Sequence, residues 1–560
     1  MNRNVARLVI AITMLIGALG TYVPGRATSQ TALTSGGVVN IAHFFKPPTL
    51  DAATAARNFG TIVLTNGDHA YRDQLYANGF SATIPEYLRA DGIYNPGSCT
   101  ASTLNNTVAY KTGDFCWISQ NHPDWFLLDR YGQRITVTAG GSYYRMDPAN
   151  DGWKQFFLAR VIESQQQYGW SALFMDNVEA SLSKFYGPLP VKYPTNASYQ
   201  NAMLGFLQYL DVNFSQQYGR PIFGNIVARD SDATWFSYLQ YLDGAMQERF
   251  AVDWNETSYL STSRWLNDLS MMEQTQANGK YVILVAPGNQ GDLKRETFAF
   301  GTYLLISDGK AAFRYSTDDA YGQVWLYDNY KLNFGVPIGP RYQYGTLWRR
   351  DFTLGYVLVD PLNHVANFST TTDPLIFFDV PSYHWARSYV EQLYSAGITN
   401  GCGSDPLIYC PESLVTRAEM AVFLLKGIHS SSYIPPSVGS NTGFNDVPTD
   451  YWAASWIKQL AAQGVTSGCG GGNYCPASPV TRAEMAVFLL KSRHGLSYLP
   501  PSVGAGTGFA DVSVNHWAAA WIKQLAAEGI TGGCGSGNYC PDSQVTRAEM
   551  AIFLVKAFGL

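Results

Sequence analysis

Three segments in the last third of the chain repeat one another almost without gaps. This self-similarity constrains the fold more than any other feature, because a stacked unit buries its apolar face only against its neighbours. The first segment carries Phe378-Asp379-Val380-Pro381, His384-Trp385-Ala386, Gly401-Cys402-Gly403, Tyr409-Cys410-Pro411 and Thr416-Arg417-Ala418-Glu419. The second returns as Asp446-Val447-Pro448, Tyr451-Trp452-Ala453, Gly468-Cys469-Gly470, Tyr474-Cys475-Pro476 and Thr481-Arg482-Ala483-Glu484. The third has Asp511-Val512, His516-Trp517-Ala518, Gly533-Cys534-Gly535, Tyr539-Cys540-Pro541 and Thr546-Arg547-Ala548-Glu549. The units fall at 374–430, 442–495 and 507–560, joined by stretches rich in Ser, Pro and Gly. Each predicts helix, glycine-rich loop, helix. Trp-Ala opens an amphipathic run that a Gly ends, and Thr with Glu three residues on forms a capping box for the second helix. The intervening Arg417, Arg482 and Arg547 have no capping duty. Exposed near a helix start, they suit charge-assisted bonds to an anionic polymer.

Eight cysteines fall in four local couples, Cys99 with Cys116, Cys402 with Cys410, Cys469 with Cys475 and Cys534 with Cys540. Disulfides are favoured over metal binding, since no couple has C-x-x-C spacing and no His stands beside one at ligand spacing. No metal or other cofactor is expected. Residues 1–29 read as a signal peptide, with Arg3 and Arg7 before an apolar run over 8–20. That run falls short of the roughly 20 residues that span a bilayer, so no transmembrane segment is expected after cleavage. A formal net charge of −5 without Lys/Arg clusters argues against nucleic acid. Aromatic residues match charged ones at 14% each, a balance that suits stacking on sugars.

The repeat pattern resembles the S-layer homology family. The resemblance implies a three-lobed, all-α assembly that binds anionic cell-wall polysaccharide, with Trp385, Trp452 and Trp517 and the three arginines near the ligand. It implies a secreted protein held at a bacterial cell surface. The cysteine couples depart from the common form and read as clamps across the loop between the two helices.

From 37 to 367 short apolar runs alternate with helical stretches, the signature of a βα series. Candidate strands are 38–44, 61–65, 107–110, 172–175, 221–226, 244–247, 281–285 and 303–306, with extra strands over 324–359. Eight strands in this length predict an α/β fold, a (β/α)₈ barrel, whose chemistry sits at the C-terminal strand ends. Four polar residues stand there: Asp176, Asn225, Glu248 and Asn289. His43, Asn66, Asp147 and Asn177 complete the candidate substrate-binding set. Asp176 and Glu248 are the pair expected to catalyse, because glycoside hydrolysis needs one carboxyl as acid and one as nucleophile or base. Competing readings make Asp176 a cap for a helix at Val178 and pair Glu248 with Arg249 or Arg314. Trp117, Trp125, Tyr143, Tyr144 and Trp254 are candidate sugar platforms.

Leu173-Phe174-Met175-Asp176-Asn177-Val178-Glu179, Gly244-Ala245-Met246-Gln247-Glu248 and Trp348-Arg349-Arg350-Asp351-Phe352 resemble the glycosyl hydrolase-like family 15 proteins. That resemblance implies a barrel with a strand-four Asp and a strand-six Glu. The same placement occurs in retaining α-glycosidases of the α-galactosidase type, which use Asp at both positions, so Glu248 departs from them. By that analogy Asp176 attacks the anomeric carbon and Glu248 is acid, then base. The rival reading is a non-catalytic carbohydrate-binding or structural surface protein. A metallohydrolase is disfavoured by 8 His and no paired-His motif.

Overall fold

The computed structural model of the chain describes residues 38–560 apart from 139, 186, 228–230, 256, 318–321, 372–374, 382–383, 405–406 and 496. The expected signal peptide, with Arg3, Arg7 and the run over 8–20, lies outside the described residues. Two compact units divide the chain, Met1–Leu332 and Asn333–Leu560. Among the described residues no helix is long and apolar enough to cross a membrane.

The first unit is built on eight parallel strands in sequential order. These are β1 (Ala42–Phe45), β2 (Thr61–Thr65), β3 (Glu86–Arg89), β4 (Leu173–Glu179), β5 (Ile222–Val227), β6 (Gly244–Gln247), β7 (Tyr281–Pro287) and β8 (Ala311–Ser316). A parallel bridge between Ile41 and Phe313 brings the first and last strands together, so the sheet is nearly closed into a barrel. Alternation sends Phe44, Val63, Phe174, Phe223, Met246 and Ile283 into one buried cluster and their strand neighbours outward. Helices connect the strands, for example Asp151–Tyr168 before β4 and Thr262–Ala277 before β7.

Two expected strands are corrected. Residues 107–110 form no strand, and the third position belongs to β3, whose Glu-Tyr-Leu-Arg sequence hides its apolar period because Glu86 is buried against Ser164 of the helix Asp151–Tyr168. Residues 303–306 are the last turn of a helix, Leu293–Ile306, in which every residue from Arg295 on is buried. An all-round apolar run does not distinguish a buried helix from a strand; the eighth strand comes later, at β8.

The second unit opens with an antiparallel meander, β9 (Tyr342–Tyr344), β10 (Leu347–Phe352), β11 (Gly355–Asp360) and β12 (Val365–Thr370). The Trp348 to Phe352 motif lies on β10. The repeats follow as helix pairs: Arg387–Ser395 with Arg417–Ile428, Ala454–Ala462 with Arg482–His494, and Ala519–Ala527 with Arg547–Phe558. Gly397, Gly464 and Gly529 end the first helices at φ of 72°, 67° and 72°, a left-handed stop that favours glycine. The capping boxes form as expected at Thr416/Glu419, Thr481/Glu484 and Thr546/Glu549.

The expectation of an all-α repeat region is corrected. A two-stranded pairing joins Gly403–Ser404 to Leu407–Ile408, and bridges Leu414 to Thr546, Thr416 to Pro479 and Thr481 to Gln544 link one repeat to the next. Backbone bonds at the centre run in a closed circle, Val415 N to Val545 O, Val480 N to Val415 O and Val545 N to Val480 O, at 3.0, 2.9 and 2.9 Å. The extended segment before each second helix pairs across repeats, because its backbone groups are buried and need partners. All four cysteine couples are disulfide-bonded.

Candidate active site

A cavity of about 290 Å³ opens at the C-terminal ends of β3 to β6. Tyr87 and Arg89 line it from β3, Phe174 and Asp176 from β4, Asn225 from β5, and Met246 and Glu248 from β6 and its end. Asp176 accepts hydrogen bonds at both carboxyl oxygens, from the Tyr87 hydroxyl at Oδ2 and from Asn225 Nδ2 at Oδ1, the latter at 2.9 Å. Asn225 lines the same cavity as Glu248. Burial first, and then the negative charge of Asp176, push the Glu248 carboxyl up to about 7, against the Asn225 amide and the charge of Lys184. This is the separation of roles that glycosidic chemistry needs, with one carboxyl of the pair held protonated near neutral pH.

The local backbone explains how Asp176 is presented. The β4–β5 register shifts between Met175 and Val178, and Asn177 adopts φ 55° in this bulge. A bulge re-aims side chains beside it, and Asn tolerates the left-handed region better than most residues. β4 continues through Val178 to Glu179, so no helix begins at Val178 and the capping role for Asp176 is excluded. Phe45, also at the cavity wall, holds φ 83°, a costly conformation for a bulky side chain and one that clusters at functional sites. Behind the wall, Arg89 pairs with Asp91 at 2.8 Å and Arg145 with Glu179 at 2.5 Å. Asn177 Nδ2 reaches Asp91 Oδ1 at 3.5 Å. Arg89 also lies over the Tyr143 ring, 4.6 Å from its centroid.

The repeats carry a second arrangement. Arg417 pairs with Glu484 at 2.6 Å, Arg482 with Glu549 at 2.8 Å and Arg547 with Glu419 at 3.3 Å, a ring of ion pairs running once round the three units. Each glutamate is used twice: Oε2 accepts from the backbone of its own capping Thr, and Oε1 takes the neighbouring arginine. The arginines expected to be exposed are therefore buried, at 3, 3 and 4% exposure, and their Nε atoms donate to Tyr474 O, Tyr539 O and Tyr409 O at 2.8 Å. Trp385, Trp452 and Trp517 are exposed at 58, 60 and 63%.

The family model described as hypothetical glycosyl hydrolase family 15 matches residues 98–356, and the S-layer homology domain model matches 377–421, 443–486 and 508–551. The chain carries a family 15-like glycosyl hydrolase domain followed by three S-layer homology domains. Among similar proteins, a cellulosome-anchoring protein of Acetivibrio thermocellus is 31% identical over 144 residues, covering 25% of this chain and 31% of its own length. S-layer protein EA1 of Bacillus anthracis is 31% identical over 146 residues, 26% of this chain and 16% of its own. The chain thus spans about a third or less of the length of the curated relatives it matches. Among solved structures, the glycoside hydrolase domain of PelA from Pseudomonas aeruginosa aligns with 51% of this chain and 97% of its own, at 15% identity and a TM-score of 0.36.

Other expected site residues of the hydrolase-like domain lie elsewhere. His43 is buried beside Phe59, bonded through Nε2 to Lys46 O at 2.7 Å, and its pKa falls to about 3 through burial and the nearby Arg314. It lines a separate small hollow with Arg314 and Trp325, because alternation along β1 turns it away from Phe44. Asn66 sits in a buried turn after β2. Asp147 is held by Tyr193 and Lys192, and Asn289 is exposed. Glu248's expected alternative partners are engaged elsewhere: Arg249 pairs with Asp253 at 3.3 Å, and Arg314 Nε donates to Ser316 Oγ at 3.1 Å. Of the expected platforms Tyr143 lines the cavity, whereas Trp125 is buried on His122, with ring centroids 4.0 Å apart. Sequence reasoning missed Tyr87, Arg89 and Asn106. The first two lie on β3, and a strand assigned there would have placed Arg89 at the rim.

In the S-layer homology domains one further role was unread. Asp379, Asp446 and Asp511 each accept the backbone N–H groups of the Tyr-Cys pair in their own repeat, at 2.6 to 2.7 Å. Each aspartate thereby fixes the loop that its disulfide closes.

Proposed function

We propose that the chain is a secreted, cell-surface glycoside hydrolase acting on a polysaccharide by a retaining mechanism, with an α-linkage as the first one to test. The observation that carries this reading is Asp176 and Glu248 opening into one cavity, Asp176 held by Asn225, with the Glu248 carboxyl pushed up to about 7. Glu248 donates its proton to the glycosidic oxygen as the bond to the anomeric carbon breaks, and Asp176 forms the glycosyl ester. Glu248, now a carboxylate, takes a proton from water, whose oxygen attacks the anomeric carbon and releases Asp176. One water is consumed for each bond cleaved. Arg89, Asn106 and Tyr143 offer polar contacts to sugar hydroxyls, and Tyr87 with Asn225 holds the nucleophile in position. Asn177, through Asp91, supports Arg89 of this site, and His43, Asn66, Asp147 and Asn289 take no part in it.

The S-layer homology domains anchor the enzyme by binding anionic cell-wall polysaccharide. The exposed Trp385, Trp452 and Trp517 supply sugar-stacking faces, and Arg417, Arg482 and Arg547 act at one remove by holding the three units in register. The test is a polysaccharide screen with the full chain and its Glu248→Gln variant, alongside sedimentation with purified cell walls. Equal hydrolysis by both proteins removes Glu248 from its role.

A further inference from the structure

Each repeat disulfide sits at the joint between two repeats. In the second repeat the peptide unit between Tyr474 and Cys475 is held at both ends. Its carbonyl accepts Arg417 Nε of the first repeat at 2.8 Å, and its N–H donates to Asp446 of its own repeat at 2.7 Å. The Tyr474 hydroxyl donates to Arg417 O at 2.8 Å. Just past the cysteine, the carbonyls of Pro476 and Ser478 accept the N–H groups of Ala418 and Arg417 at 3.0 and 2.9 Å. The third repeat receives Arg482 and Ala483 in the same way through Tyr539, Pro541 and Ser543. The first receives Arg547 and Ala548 through Tyr409, Pro411 and Ser413.

The cysteine in the middle of each joint is backbone-strained. Cys410, Cys475 and Cys540 all hold φ of 58°, a left-handed conformation that costs energy for a residue with a Cβ. The cross-link and the aspartate together keep it there. Once the cross-link is cut, relaxation about the N–Cα bond turns the Tyr–Cys peptide, and the bonds to the aspartate and to the neighbouring arginine are lost together. The other sulfur of each pair is within reach of solutes, since Cys402, Cys469 and Cys534 are exposed. Exposed disulfides are the ones that dissolved thiols attack.

We propose that the three repeat disulfides form a redox release for the anchor: an external low-molecular-weight thiol reduces them, the joints between repeats loosen, and the chain leaves the cell wall. The release step rests on the anchoring reading above. In the second repeat a thiolate attacks Sγ of Cys469, forming a mixed disulfide and freeing Cys475 as a thiolate that takes up the proton. A second thiol displaces the first, so two small thiols become one small disulfide and the protein gains two cysteine thiols. Wall binding weakens because the three exposed tryptophans act in concert only while the repeats are held in register.

The test incubates the full chain with reduced glutathione, counts free thiols by alkylation and mass spectrometry, and reads affinity for purified cell walls by sedimentation. A parallel chain with Cys99→Ser and Cys116→Ser excludes a contribution from the barrel disulfide. Reduction of the repeat cysteines is expected to weaken wall binding about tenfold and to speed hydrogen exchange at the Val415, Val480 and Val545 amides about tenfold. Repeat disulfides that stay intact in glutathione, or a reduced chain that sediments as before, overturn the proposal. An oxidised chain that does not sediment sinks the anchoring reading instead, and hydrogen exchange then decides the joint, with unchanged exchange overturning it. A double-mutant cycle places the effect between repeats. Cys469→Ser with Cys475→Ser, and Arg417→Ala, should each weaken binding about tenfold, and their combination should go no further than about threefold beyond either, because both break one joint. A combined loss of about a hundredfold, the product of independent effects, makes the disulfide a brace within its own repeat and overturns the proposal. If the serine pair does not fold, the glutathione titration decides.

Discussion

Replacing Arg482 by Ala separates a structural arginine from a ligand-binding one. Its Nε donates to Tyr539 O at 2.8 Å, its Nη2 to Gly533 O at 3.1 Å and its Nη1 to Glu549 at 2.8 Å. The guanidinium also lies 5.1 and 5.3 Å from the ring centroids of Tyr539 and Phe553. Each carbonyl left without its donor costs about 1 kcal/mol. The ion pair adds at most about 1 kcal/mol, because Glu549 is partly exposed and turns to water when its partner is gone. The sum is a loss of roughly 3 kcal/mol in the repeat unit, a large share of an ordinary folding free energy. Arg547→Ala should cost less, because its contacts to Glu419 and Gly401 are longer, 3.3 and 3.4 Å. Scanning calorimetry of the full chain with disulfides intact follows the transition of this unit. A loss below about 1 kcal/mol, accompanied by failure to bind cell walls, refutes the strut and makes Arg482 a ligand contact.

Trp452→Ala should behave in the opposite way, leaving stability within about 0.5 kcal/mol and weakening cell-wall sedimentation. Cys469→Ser with Cys475→Ser opens a short loop and should destabilise the repeat unit by about 2 kcal/mol, read under oxidising conditions as a lower unfolding midpoint than that of the unsubstituted chain; an unchanged midpoint rejects the clamp. Stability of the barrel unit should fall as pH rises from 5 to 8. Burial raises Glu86 to about 8 and Glu296 to about 7, from 4.5 when free. Between those limits the folded state binds more protons than the unfolded state, so each group removes up to about 1.4 kcal/mol per pH unit. Glu86→Gln should flatten that slope, and an unchanged slope rejects the assignment.

The repeats were legible in detail because their signals are local: a Thr-x-x-Glu cap, a glycine stop and a cysteine couple need only neighbouring residues. The ring was not, because nothing in Thr-Arg-Ala-Glu says that Arg417 meets a Glu484 one repeat away rather than an external anion. In the barrel, the cavity-lining Asp176 and Glu248 were legible because each directly follows an apolar run, 172–175 and 244–247. β3 and β8 were missed where burial overrode periodicity, in a strand that begins at Glu86 and ends at Arg89 and in a helix buried from Arg295 on. Tyr87 and Arg89 went unread with β3.

The central claim is that Asp176 and Glu248 are one catalytic pair. The most direct measurement is the pH dependence of kcat/KM for a cleaved polysaccharide, in the unsubstituted chain and in Glu248→Gln and Asp176→Asn. The account predicts a fall in rate as pH rises through about 7, where Glu248 loses its proton. It also predicts losses on the order of 10² to 10⁴ in both variants, with the limb near 7 absent from Glu248→Gln. Undiminished rates in either variant, or an unchanged limb in Glu248→Gln, would contradict it.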